Sequence, residues 1–204
     1  MRYITILLMG LGFGGLSWGC EQEPLPILGQ KTPSGEAYTI PGFSFMNQNG
    51  QLITDQYFAG KIYVADFFFT SCPDICPRMS KQMKRLHDAF MEVDEVVMIS
   101  HSLDARHDSV PVLKAYADGL GINADKWQLV TTPDPDYVYQ TCFNYLLSAG
   151  PDESLAGGIF HSGKFVLVDK QKRIRGFYEG TEPDEVDKLM KDIKWLLNEP
   201  ETAI

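Results

Sequence analysis

Hydrophobic positions in this chain come in blocks whose period changes along its length. Residues 61–70 run through Ile, Tyr, Val, Ala and three Phe with little polar interruption, which predicts a strand buried on both faces. Pro77 then suits a first helical turn, and Met79, Met83, Leu86 and Phe90 recur at helical spacing as one core-facing stripe, leaving His87 to the surface. Residues 96–100 and 127–131 predict two further strands, and between them residues 110–119 predict a helix stopped by Gly119 and Gly121. Residues 134–147 predict a helix with Tyr137, Val138, Phe143 and Leu146 on its apolar side. Residues 148–158 are small, polar and Gly-rich, a loop signature. Residues 164–169 and 174–178 flank a polar turn as a hairpin, and residues 185–197 close the chain as an amphipathic helix. Near the start, residues 38–45 and 51–53 flank Asn47-Gln-Asn-Gly50, whose Asn-Gly marks an N-terminal β-hairpin extension. Strand–helix–strand–helix followed by a hairpin and a helix is an α/β pattern with a central mixed sheet flanked by helices.

The ends and the charge narrow the class. Met1 to Cys20 reads as a targeting segment: Arg2, an apolar stretch over residues 4–16 too short and Gly-rich for a spanning helix, then Ser17-Trp18-Gly19-Cys20. A small residue before a cysteine at that point resembles the bacterial lipoprotein signal. This makes Cys20 the expected lipid anchor and puts the domain in the cell envelope, on the periplasmic face. The Pro- and Gly-containing residues 21–36 read as a tether, leaving 37–204 as the domain. A net charge of −9 over 204 residues argues against nucleic acid as a partner. Without Cys20, three cysteines remain (Cys72, Cys76 and Cys142), an odd number for a plain disulfide framework outside the cytoplasm.

The chemistry concentrates in Phe69-Thr-Ser-Cys-Pro-Asp-Ile-Cys-Pro77, where the first buried strand gives way to a helix. Amides at a helix start favour thiolates, which bind soft metals or attack disulfides. A thiol pair placed there, after the first central strand, makes the pattern thioredoxin-like. Redox thioredoxins separate their cysteines by two residues; here there are three, which leans towards metal without deciding. In that fold His161, after Gly157-Gly158 and just before a hairpin strand, lies opposite the thiol-bearing helix. Redox thioredoxins carry a cis-proline there, whereas the nearest upstream proline here is Pro151. A histidine in that place makes a potential metal site. His101, at a strand end, reads as packed and hydrogen-bonded, and His107 as solvated. Asp66 lies six residues before Cys72, the offset of the buried aspartate of thioredoxins, and burial would raise its pKa. If the site is redox-active, Cys72, Cys76 and Asp66 are its catalytic residues. Cys142 reads as a core residue.

Thr70-Ser-Cys-Pro-Asp-Ile-Cys-Pro77, Ser102-Leu-Asp-Ala-Arg-His-Asp108 and His161 together resemble the Sco/SenC family of copper-delivery proteins, over residues 38–197. The resemblance implies a membrane-tethered thioredoxin-like domain that binds copper, as Cu(I) or Cu(II), through Cys72, Cys76 and His161. It also implies loading of the binuclear copper centre of cytochrome c oxidase, with a copper-accepting oxidase subunit and an upstream copper donor as partners. The family's paired aspartates match Asp104 and Asp108 beside the ligands; Ala105 departs from the usual proline between them. The rival expectation is a thiol-disulfide oxidoreductase acting on the oxidase or another exported protein.

Overall fold

A computed structural model describes residues 24–155 and 157–199; Cys20 and the targeting segment lie outside them. The Asn-Gly turn closes a hairpin of β1 (Ser44–Asn47) and β2 (Leu52–Thr54), with Phe45 opposite Ile53. The central strands are β3 (Ile62–Phe68), β4 (Val96–Ser102) and β5 (Trp127–Thr131), paired parallel. Helix α1 (Ile75–Ala89) joins β3 to β4, and α2 (Val110–Leu120) joins β4 to β5. Helix α3 (Pro135–Asn144) leads to a two-stranded ribbon of β6 (Ala149–Pro151) and β7 (Ile159–His161). The hairpin β8 (Lys164–Val168) and β9 (Ile174–Glu179) and helix α4 (Pro183–Leu197) follow. The main sheet has the order β2-β1-β5-β4-β3-β8-β9, with β8 antiparallel to β3. This is the expected mixed α/β sheet with its N-terminal hairpin. Among the described residues no helix is long and apolar enough to cross a membrane.

All seven residues of β3 and all seven of β4 are buried, as their mostly apolar sequences favour, and their few polar residues (Asp66, Ser100, His101 and Ser102) are buried with them. Alternation divides them between two cores. On one face Ile62, Val64 and Phe68 pack with Met79, Met83 and Leu86 of α1 and with Val186, Leu189 and Ile193 of α4. On the other, Tyr63, Ala65, Phe67, Val97 and Ile99 pack with Phe43 and Phe45 and with Val138, Cys142 and Tyr145. Each fully buried large apolar side chain contributes roughly 1.5–3 kcal/mol, so both cores hold β3 and β4 rigidly. The C-terminal ends of these strands therefore make a firm platform for the loops above them.

Three expectations need correcting. His87 is buried, because its Nε2 accepts from the Asn123 amide at 3.0 Å and its Nδ1 meets Asp88 at 2.9 Å. Helix α3 stops at Asn144: the Leu146 and Leu147 amides turn back to Phe143 and Cys142 (2.9 and 3.1 Å), with Leu146 at a left-handed φ of 58°. That turn leaves Leu146 exposed, and Phe143, still within the helix, lies off its buried Val138–Thr141–Cys142 face and is exposed as well, so neither is in the core. The segment 148–158, expected as an open loop, contains β6 and ends on β7, with Gly150 opposite Phe160 and Ala149 opposite His161. Small residues conceal such a short ribbon, because an apolar alternation over three residues is too brief to register as a strand. In the segment read as a tether, Leu28 pairs with Ile174, and buried Arg175 donates to the carbonyls of Leu25 and Pro26 (2.7 and 3.1 Å).

Candidate metal centre

The site is built where β3 ends. After Phe68 the chain turns, with the Cys72 amide donating to the Phe69 carbonyl at 3.2 Å, and enters α1 at Ile75. Cys72 and Cys76 are both buried and unbonded to each other. From the opposite side β7 brings in His161. One ligand atom from each of Cys72, Cys76 and His161 lies within 4.8 Å of the others, and Cys76 Sγ is 3.5 Å from His161 Nε2. A soft ion bound about 2.0–2.3 Å from each donor spaces donors roughly 3.5–4 Å apart, so the three groups need little movement to close on one.

The orientation of His161 has a physical cause. Its Nδ1 lies 3.2 Å from the Ser162 carbonyl and donates to it, which leaves the Nε2 lone pair facing the sulfurs. Burial holds its pKa below the usual histidine range, opposed in part by that carbonyl, so the ring is neutral near pH 7. Its edge meets the Phe69 ring, centroids 5.7 Å apart. Gly157 is required here: it has φ +98°, and a Cβ would fall 2.7 Å from the Phe69 ring. Bare backbone lets the ribbon settle against Phe69 and deliver His161 to the thiols.

The thiol chemistry differs from the expectation. A helix start was expected to favour the thiolate, yet burial pushes the Cys76 thiol well up, with the neighbouring Cys72 adding to the rise. Desolvation outweighs the partial charge of a helix end. A bound cation would reverse this balance, since a coordinating thiol loses its proton outright.

Asp66 is buried on the α1 face of the sheet, and burial raises its carboxyl pKa to about 7. Ser100, opposite it on β4, donates a short hydrogen bond to the carboxyl, and Ser100 Oγ in turn accepts from Trp127 Nε1 at 2.8 Å. Ser100 and Trp127 escaped the sequence reading; a serine inside an apolar strand was the one available signal. The two aspartates separate. Asp108 is fully buried and accepts from the Thr70 amide (3.0 Å), from Ser102 Oγ (2.6 Å) and, in a short bond, from Thr70 Oγ1. It thus ties the thiol loop, two residues before Cys72, to the end of β4. Asp104 is partly exposed, accepts from the His107 amide at 3.1 Å, and lines a separate cleft of about 530 Å³ with Gly157 and Gly158.

His101 departs from expectation. It is packed, but neither ring nitrogen has a hydrogen-bond partner among the described residues. It stacks on Phe67 (centroids 4.8 Å, interplanar 16°) and is edged by Phe43 and Phe45, on the sheet face away from the thiols. Cys142 is buried, and burial pushes its thiol up to about 12.

Comparison with known proteins bears on this centre. The family model SCO1/SenC matches residues 31–198. The SCO1 protein homolog of Bacillus subtilis is 26% identical over 167 residues, spanning 81% of this chain and 86% of that protein. BsSco, described as a member of the Sco family of cytochrome c oxidase assembly proteins, is 27% identical, with a TM-score of 0.67 over 77% of this chain and 92% of its own. Arabidopsis thaliana ScoI, solved with copper bound, shares the fold at a TM-score of 0.64 and 23% identity, over 78% of this chain and 99% of that one. With two buried thiols and an imidazole converging above a thioredoxin-like sheet, and a family match over most of its length, the chain belongs to the SCO1/SenC family.

Proposed function

We propose that this chain is a copper metallochaperone, exported and held at the membrane by a lipid on Cys20, that delivers copper to the binuclear centre of cytochrome c oxidase. The observation that carries the reading is the convergence of Cys72, Cys76 and His161 within 4.8 Å. Copper is the cargo. Two thiolates and one imidazole suit Cu(I), and the imidazole extends the set to Cu(II). The donor set alone would also accept zinc with an open position; membership of a family with copper-bound relatives favours copper. Asp108 keeps the thiol loop in place while the ribbon supplies His161, so ligands arrive from two separately anchored elements.

Transfer follows as ligand exchange. Acceptor donors replace Cys72, Cys76 and His161 one at a time, each copper bond to this chain breaking as one to the acceptor forms. One observation favours a second reading, thiol-disulfide reduction: Asp66, with a pKa near 7 and close to Cys76, could take the proton of the second thiol as it attacks a mixed disulfide and releases the substrate thiolate.

Anaerobic titration of the reduced protein with Cu(I), Cu(II) and Zn(II), beside His161→Ala, tests the proposal. One copper per chain is expected, held more tightly than zinc. The variant should lose more affinity than the roughly 10–100-fold that an outer-shell change costs. Weak binding indifferent to His161→Ala, with disulfide reductase activity that needs Asp66, would transfer the case to the second reading.

A further inference from the structure

The rim of the metal cleft is unusually apolar for an exposed surface. Among the described residues six large hydrophobic side chains are exposed, and two of them, Leu155 (46%) and Phe160 (41%), line the 170 Å³ cleft that holds Cys72 and His161. Half-buried Ile75 and Ile159 continue the patch inward. Isolated exposed leucines need no explanation, but two at one mouth, joined to a half-buried floor, mark a contact surface. Among the described residues lining the cleft itself, Asp74 is the one charged side chain, and exposed Arg106 stands in the neighbouring cleft beyond Ile159. Asp74 on the cleft wall and Glu153 on the ribbon turn are exposed and form no ion pair among the described residues. Arg78 and Lys164 are each engaged, with Glu182 and Glu179. An apolar centre inside a charged rim is the anatomy of a protein interface.

The geometry points to Leu155 and Phe160 as the docking collar for the protein that receives the metal, a partner whose metal-binding loop has an apolar tip framed by lysine or arginine. This rests on the chaperone reading above. The acidic rim selects a basic partner and speeds its approach, while the apolar collar excludes water during exchange. The collar also reaches the ligand set. Phe160 precedes His161 on β7, and its ring lies over Gly150 across the ribbon, where a Cβ would fall 2.9 Å away. A partner pressing on Phe160 therefore bears on the strand that carries His161, so docking and loosening of that ligand are mechanically joined.

The test separates docking from metal binding. Cu(I)-loaded wild type, Leu155→Ser and Phe160→Ser are mixed either with a small Cu(I) chelator or with the purified copper-accepting domain of the source organism's oxidase. Leu155→Ser is expected to keep its Cu(I) affinity and its rate of loss to the chelator within about threefold. Transfer to the protein domain should slow at least tenfold, which corresponds to about 1.4 kcal/mol. Phe160→Ser should slow it further. Asp74→Asn with Glu153→Gln should lower the association rate and flatten its salt dependence. Equal transfer rates to the protein domain would overturn the collar. So would parallel slowing to chelator and protein in both variants, which would make these side chains mere supports of the site. A change in self-association that explains the slowing would assign the patch to a second copy of this chain. A wild type that fails to hold Cu(I) overturns the chaperone reading itself, and the affinity measurement reports that separately.

Discussion

Strand β3 presents Asp66 to one side of the sheet and β4 presents His101 to the other, and the two sides treat them in opposite ways. Asp66, facing α1, is satisfied: Ser100 donates to it and Trp127 supports Ser100. His101, facing the β1 hairpin and α3, is boxed by Phe43, Phe45, Phe67 and Tyr145, with neither ring nitrogen in a well-formed hydrogen bond among the described residues. Desolvation disfavours the charged form of both, so both titrate far from their usual ranges: Asp66 is raised to about 7 and His101 is lowered to about 3. The lesson is that burial alone does not mark a functional group. The face carrying the thiols keeps a connected polar network, whereas the other face spends its polar residue on packing.

The strongest way to break this division is to damage the packing face and look for an effect on the metal. Phe67→Ala removes the ring stacked on His101 and should cost about 3–5 kcal/mol in chemical denaturation. Cu(I) affinity of the folded fraction should stay unchanged; a parallel loss of affinity would mean the two faces are not independent.

A smaller effect of opposite sign is expected from His101→Phe. Filling the aromatic cage without two unpartnered nitrogens should stabilise the protein by about 1–3 kcal/mol. The pH dependence has a definite sign. His101 binds its proton more weakly folded than unfolded, so its contribution is present above about 6.5 and is lost as pH falls towards 3. Denaturation midpoints of the variant should hold up better than wild type between pH 6 and 4; equal slopes would deny His101 its buried neutral state.

Asp66→Asn sharpens the same comparison from the other face. A carboxyl raised from 3.8 to about 7 binds its proton more tightly folded than unfolded. Its contribution is therefore full below pH 4 and is lost as pH rises through 7, with a slope of up to about 1.4 kcal/mol per pH unit. The metal-free variant should lack that decline. If it also keeps Cu(I) affinity but loses reductase turnover, Asp66 belongs to redox chemistry alone. The smallest effect is reserved for Cys142→Ala, a packing-face thiol whose removal should cost about 1 kcal/mol by melting and leave copper stoichiometry at one.

Much of this was legible beforehand because the signals are local. The two-sided apolar run that became β3, the stripe Met79–Met83–Leu86 and the Asn-Gly hairpin are written at periods of two and 3.6, which backbone geometry alone enforces. The His87 surface reading failed because its partner, the Asn123 amide, lies 36 residues away. Leu146 failed because a left-handed turn after Asn144, at a leucine that gives no such warning, rotated it outward, and Phe143 because α3 buries its Val138–Thr141–Cys142 face instead.

The sequence by itself determined the element order and the thiol pair at the end of the first buried strand, since each depends on neighbours along the chain, whereas the candidacy of His161 rested on assuming the fold and on the family resemblance. Only the tertiary structure decided that Asp108 and not Asp104 holds the thiol loop, that Asp66 is served by Ser100 and Trp127, and that Gly157 must be bare for the ribbon to meet Phe69. These are contacts between segments tens of residues apart, set by sheet register and close packing, and a chain read in order carries no record of such distances.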